Sequence, residues 1–179
     1  YNYLSGRGYT CYVYGDTHSE NYPQYDGLAK ESVVKQALEN VISTLTENDI
    51  LVVTTSGHGS GDGYGESFVC LWDSYSGEDG EDGNLYDHEL ASILQSSPCR
   101  TFVFVDNCYS GGMGDDLMAL SNSELIYCTT TCTEDGYGYD DYTHQNGAWT
   151  YWFLEWGLMN GNSGHTDMEG NFIEAYNAY

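Results

Sequence analysis

From Leu28 to Glu47 the apolar residues Val34, Leu38, Val41 and Leu45, flanked by Val33, Ala37 and Ile42, recur at helical spacing until Asn48-Asp49 breaks the pattern. An amphipathic helix is predicted there. Directly behind it the run Ile50-Leu51-Val52-Val53-Thr54-Thr55 is continuous and mostly β-branched, and it stops at Ser56-Gly57. That pattern predicts a strand covered on both faces, as in a parallel sheet, with the helix as a crossover. The same alternation continues with Phe68-Val69-Cys70-Leu71-Trp72 as a strand, Asp87 to Gln95 as a short helix and Thr101-Phe102-Val103-Phe104-Val105 as a second buried strand. Leu125 to Thr129 reads as a further strand and Gly147 to Met159 as a helix. In that helix Trp149, Trp152, Phe153 and Trp156 sit at helical spacing, which predicts core packing rather than a carbohydrate-binding surface. Strand, helix, strand defines an α/β chain, and 179 residues without an internal repeat or a long linker suit a single domain over residues 1–179. Acidic, glycine-rich loops separate the elements at Gly57 to Glu66, Gly77 to Asn84 and Glu134 to Asp141.

Charge narrows the function classes. Four Lys and Arg stand against 28 Asp and Glu, a net charge of −24. Nucleic acid and anionic membrane surfaces are excluded as partners, because both require a basic patch. A cationic partner or substrate is the natural complement, although a solvated acidic surface explains most of the charge. No run of 18 apolar residues is present, so nothing predicts a membrane span, and the first residues lack the layout of a signal peptide. Six cysteines, 18 tyrosines and few lysines point to an extracellular or secreted protein. Six thiols could all pair, whereas a nucleophile reserved among them leaves five and therefore a second unpaired one. Cys128 and Cys132 lack the second pair that a zinc site needs.

Two of the predicted buried strands run straight into reactive residues: LVVTT into Ser56-Gly57-His58-Gly59, and TFVFV into Asp106-Asn107-Cys108-Tyr109-Ser110-Gly111-Gly112. In open parallel sheets, sites form at the carboxyl ends of the strands, so two such strands side by side would bring His58 and Cys108 together. A thiol with an ordinary pKa of about 8.5 is only a few per cent thiolate at neutral pH and needs a base, for which His58 is the candidate. His18, His88, His144 and His165 follow no buried strand. The backbone N–H groups of Gly59 and Cys108 are candidates for stabilising an oxyanion.

The segments TSGHGSGDG and VFVDNCYSGGM, in this order and about fifty residues apart, resemble the His-Gly and Asp-x-Cys-x-Ser-Gly blocks of the clan of caspases, metacaspases, legumain, clostripain and gingipains, and are most similar to metacaspases. The resemblance extends through Trp72-Asp73, the Tyr86-Asp87-His88-Glu89-Leu90 helix start and Gly147-Ala148-Trp149-Thr150. It implies a caspase-hemoglobinase fold, a three-layer αβα sandwich around a mainly parallel sheet, and a cysteine endopeptidase with a His58–Cys108 dyad. It also implies that Asp106 lines the pocket for the residue before the scissile bond and selects Arg or Lys. No cofactor is required for the chemistry, but the resemblance implies a possible Ca²⁺ site at Asp73, Asp87 and Asp115, with His88 where those enzymes carry a second acid. The acids of Gly77 to Gly83 fail EF-hand spacing and read as solvated charge. The clan's first strand is missing ahead of Tyr1, and Tyr1 to Gly8 resembles the end of the helix that follows it. The expected partners are therefore a polypeptide with a basic residue at the cleavage site and an N-terminal fragment or second chain supplying that strand. Two alternatives accompany this reading: a non-catalytic extracellular calcium-binding or assembly module with disulfide-bonded cysteines, and a transpeptidase that shares the acyl-enzyme step.

Overall fold

The computed structural model describes residues 1–179 and is an α/β structure. Its principal sheet contains β1 (Ile50–Ser56), β5 (Arg100–Asp106) and β6 (Ile126–Thr130), all parallel, with β5 in the middle. The smaller sheet is an antiparallel meander of β2 (Gly59–Gly61), β3 (Ser67–Cys70) and β4 (Asn84–Tyr86). Two-residue pairings join Tyr14–Gly15 to Gly27–Leu28 and Asp140–Asp141 to Asn146–Gly147. The expected strand around Phe68 therefore exists, but it belongs to the meander and not to the parallel sheet.

The central strand shows why the sheet is parallel and covered on both faces. Every residue of β5 after Arg100 is buried. Val103 and Val105 join a core with Leu51, Leu90, Leu94 and Leu117, onto which helices α1 (Glu31–Ile42) and α2 (Asp87–Leu94) pack. Phe102 and Phe104 point the other way, into a second core with Trp149 just ahead of α3 (Thr150–Met159), Phe153 on it and Ala175 on α4 (Met168–Ala178). Helices thus lie on both faces of the sheet. Burial of each of these four β5 side chains contributes roughly 2 kcal/mol. β1 lies at one edge of the sheet and pairs only with β5. Its Ile50 is half exposed.

Several boundaries differ from expectation for identifiable reasons. α1 begins at Glu31 rather than Leu28, where Asp73 Oδ1 accepts the Glu31 N–H at 3.0 Å. The aromatic helix starts at Thr150 and winds with π-type hydrogen bonding, the Asn160 N–H reaching back to the Glu155 carbonyl. Trp149 and Phe153 enter the core as predicted, while Trp152 and Trp156 stay half-buried. Helix α4 was not anticipated. Its start is fixed by Asp167, whose side chain accepts the Gly170 N–H at 2.7 Å. All six cysteines are free thiols, so the alternative with fully paired cysteines does not describe this structure.

Candidate active site

β1 and β5 are neighbours in register, Ser56 opposite Asp106, so both chains leave the sheet at the same level of its carboxyl edge. His58 and Cys108 each follow two residues later. The two loops are tied together by Asn107, which is buried: its Nδ2 donates to the His58 carbonyl at 3.2 Å, and its Oδ1 accepts from Thr55 Oγ1 at 2.7 Å. Contact is close enough that a Cβ on Gly59 would lie 2.3 Å from the Cys108 carbonyl oxygen, so only glycine fits there. The Gly57 N–H also crosses to the Asp106 carbonyl, at 3.3 Å.

The Cys108 loop is clasped from its other side by residues 131–138. Ser110 Oγ accepts the N–H groups of Thr131 and Cys132, the Tyr109 N–H donates to the Gly136 carbonyl at 2.8 Å, and Cys132 Sγ contacts the Asn107 carbonyl at 3.4 Å. Tyr109 takes a left-handed backbone with φ 58°, which turns the chain sharply just after Cys108. A Cβ on Gly111 would lie 2.4 Å from the Glu134 nitrogen, so the clasp depends on that glycine.

The Cys108 thiol is half-buried and contacts the Gly138 carbonyl at 3.8 Å; the exposed His58 imidazole makes no hydrogen bond. The imidazole and the thiol are thus delivered to one edge without a bond between them. Both proposed oxyanion donors are free. The Cys108 N–H has no acceptor. The His58 carbonyl takes the Cys70 N–H at 2.9 Å, which makes His58 a hydrogen-bonded position of the β2–β3 ladder. Its neighbour Gly59, opposite Val69, then occupies the alternate position, with its N–H turned out of the ladder. Cys70 and Cys128 are different cases: burial pushes both thiols up, Cys128 to about 12, and keeps them protonated.

Asp106 is buried beneath this edge. Its Oδ2 accepts both the N–H and the hydroxyl of Thr150 at the start of α3, and a Cβ on Gly147 would collide with the carboxylate. Oδ1 takes no hydrogen bond from the protein and remains available to a donor.

The expected calcium ligands are not gathered into one set. Asp87 groups instead with Glu66 and His88, all three within 4.8 Å of one another, and its Oδ2 accepts the Ser67 N–H. Asp73 is buried at the start of α1 with Oδ2 unpartnered, and Asp115 is exposed at the head of the short helix Asp115–Ala119. Neither belongs to a group of three potential ligands within 4.8 Å. A second acidic group, Glu31, Glu81 and Glu89, already encloses a cation, the Lys35 ammonium, at 2.8 to 3.2 Å.

Sequence reasoning missed Asn107, Ser110, Cys132 and Thr150. Asn107 and Ser110 stood inside the nucleophile motif. Cys132 carried no local signal and Thr150 only its place in the Gly147-Ala148-Trp149-Thr150 segment, because what they do depends on loops far apart in the chain meeting at the sheet edge.

No family model matches the chain, and no curated protein matches it. Among solved structures it is similar to the crystal structure of protein GSU0716 from Geobacter sulfurreducens, with a TM-score of 0.52 and 20% identity over 76% of this chain. The chain spans 66% of that protein's length. At that identity the likeness concerns the fold alone.

Proposed function

We propose that the chain is a cysteine endopeptidase of the caspase-hemoglobinase type, acting through an acyl-enzyme on peptides with Arg or Lys before the scissile bond. The observation that carries the reading is the pairing of β1 with β5. It delivers His58 and Cys108 to one edge, beside two backbone N–H groups that have no other partner. In this reading His58 takes the Cys108 proton as the sulfur attacks the carbonyl carbon. The oxyanion is held by the Gly59 and Cys108 N–H groups, and the imidazolium returns the proton to the leaving amine. Water then attacks the thioester with the same imidazole as base. Asp106 Oδ1 is the acceptor for the substrate cation, and its negative charge suits Arg or Lys because an apolar residue there would leave the carboxylate unpaired. Helices on both faces of a parallel sheet agree with the proposed fold. The edge of β1 away from β5 pairs with no strand, as the further strand that the resemblance implies would require.

The test is cleavage of fluorogenic peptides ending in Arg, Lys, Asp or Asn by the native chain and by Cys108→Ala. Turnover of Arg and Lys peptides that disappears in the variant is the expected result. Turnover of Asn or Asp peptides instead would retain the peptidase and overturn the role of Asp106. No turnover, with Cys108 unreactive to iodoacetamide, would overturn the enzyme.

A further inference from the structure

Beside the nucleophile loop lies a cavity of about 120 Å³ walled by Glu66, Ser67, Tyr109, Glu134, Asp135 and the glycines of the 61–65 turn. Of its three acids only Glu66 has a partner within the chain, the exposed His88 imidazole. Glu134 and Asp135 form no ion pair and no side-chain hydrogen bond, while Lys30 and Lys35 are held by Glu78 and the three glutamates of α1, α2 and the 77–83 loop. Arg7 stacks on Tyr3, and Arg100 starts β5 at the end of the sheet away from the site. A second observation comes from the floor of the cavity. Ser67 is 1% exposed and its hydroxyl has no hydrogen-bond partner. That hydroxyl and the Glu134 side chain both press on Gly112, where a Cβ would lie 2.2 Å from Ser67 Oγ and 3.3 Å from Glu134 Cγ.

The spacing decides what kind of cation fits. Glu66, Glu134 and Asp135 do not form a group within 4.8 Å. A metal ion with oxygen ligands at about 2.4 Å needs tighter convergence than that. A guanidinium, with five N–H donors on a planar fork, reaches several separated acceptors at once, and an ammonium reaches three. Tyr109 is the residue after Cys108, so the cavity adjoins the loop that carries the thiol. We infer that the cavity is a second cationic subsite, taking an Arg or Lys side chain of the substrate other than the one Asp106 would hold. The preferred substrates are then segments with two basic residues. The inference rests on the peptidase reading.

The experiment uses peptides with one Arg at the cleavage site and a second Arg walked through the positions on either side. The readout is the ratio of kcat/KM with the second Arg to that without it. One position is expected to raise the ratio about tenfold, the worth of one charge-assisted hydrogen bond. In the double variant Glu134→Gln, Asp135→Asn the ratio should fall to about one, and Ser67→Ala should lower it part of the way. In Glu39→Gln, Glu47→Gln, which loses the same charge elsewhere, it should stay high. A ratio near one at every position in the native chain, with the single-Arg peptide still cleaved, overturns the subsite alone. So does an equal fall in the remote double variant, because the effect would then be general attraction to a chain of charge −24. If no peptide of either kind is cleaved, the peptidase reading falls and the subsite falls with it.

Discussion

Two demands meet at Asp106. One carboxylate oxygen accepts the N–H and hydroxyl of Thr150 and so fixes the start of α3, and the other has no partner. Removing the charge while keeping an acceptor separates the two roles. Asp106→Asn can still satisfy Thr150 through its amide oxygen, so the fold should survive. Turnover of Arg and Lys peptides should fall by about 10²-fold, the loss expected when one partner of a buried charge pair is neutralised. Peptides with an uncharged residue at that position should be far less affected. Measured kcat/KM across both peptide sets checks this, and an equal loss on both would mean that Asp106 acts only through α3. Gly59 offers a sterically different check. A methyl group 2.3 Å from the Cys108 carbonyl forces the two loops apart, so Gly59→Ala should reduce kcat/KM at least tenfold on every peptide while thiol alkylation of Cys108 persists.

The elements show where local pattern was sufficient and where it failed. β1, β5 and β6 were legible because strands of a parallel sheet are continuous apolar runs, although only β5 is buried along its length and β1 is a half-exposed edge, and α1 and α2 were legible because their apolar stripe faces a single core. Adjacency of the two reactive loops followed from the same reading. The pairing of β3 was not legible: Ser67–Cys70 is also apolar and short, and only its antiparallel partners Gly59–Gly61 and Asn84–Tyr86 mark it as part of a meander. α4 was missed because Gly161 to Gly164 reads as a tail, although Asp167 three residues before Gly170 is a capping signal. Asp73, Asp87 and Asp115 are not gathered into one set, because convergence of ligands depends on loop conformations that spacing does not encode. α1 carries a prediction of its own. Burial alone would lower the Lys35 ammonium, but its hydrogen bonds to Glu89, Glu81 and Glu31 outweigh this and hold it well above the ordinary lysine range. Glu31 in turn accepts the Gly83 N–H from a nearly inaccessible position. Lys35→Met leaves three carboxylates facing one another, a loss of about 3 kcal/mol. Thermal melting should show a fall of about 10 °C at neutral pH. A shift below 2 °C would mean that the glutamates relax into solvent and that the cluster contributes little.

For the whole molecule, a charge of −24 and several strained acids set a direction for the pH dependence of stability. Burial raises the carboxyl pKa of Glu31 above its ordinary 4.5, and burial with the neighbouring Glu66 raises that of Asp87 above 3.8. The hydrogen bond that the imidazolium donates to Glu66 raises His88 above 6.5. In all three the folded pKa lies above the unfolded value, so their contribution is fully present below the unfolded pKa and is lost as pH rises through the folded one. Asp141, held down by His144, and Asp49, held down by the N–H and hydroxyl of Thr46, work in the opposite sense. Their contribution is present above 3.8 and is lost as pH falls through the depressed folded value. The chain should therefore melt at a higher temperature at pH 5 than at pH 8, and should lose stability again below pH 3. Self-repulsion adds to the loss on the alkaline side, so 0.5 M NaCl should narrow the gap between pH 5 and pH 8 by screening exposed charges. Glu66→Gln tests one component: it removes the negative charge that helps to raise both His88 and Asp87. Melting curves of this variant should be flatter between pH 5 and pH 8 than those of the native chain. A native melting temperature that is constant or rises toward pH 8 would mean that these buried acids are compensated in the folded protein by cations the chain itself does not supply.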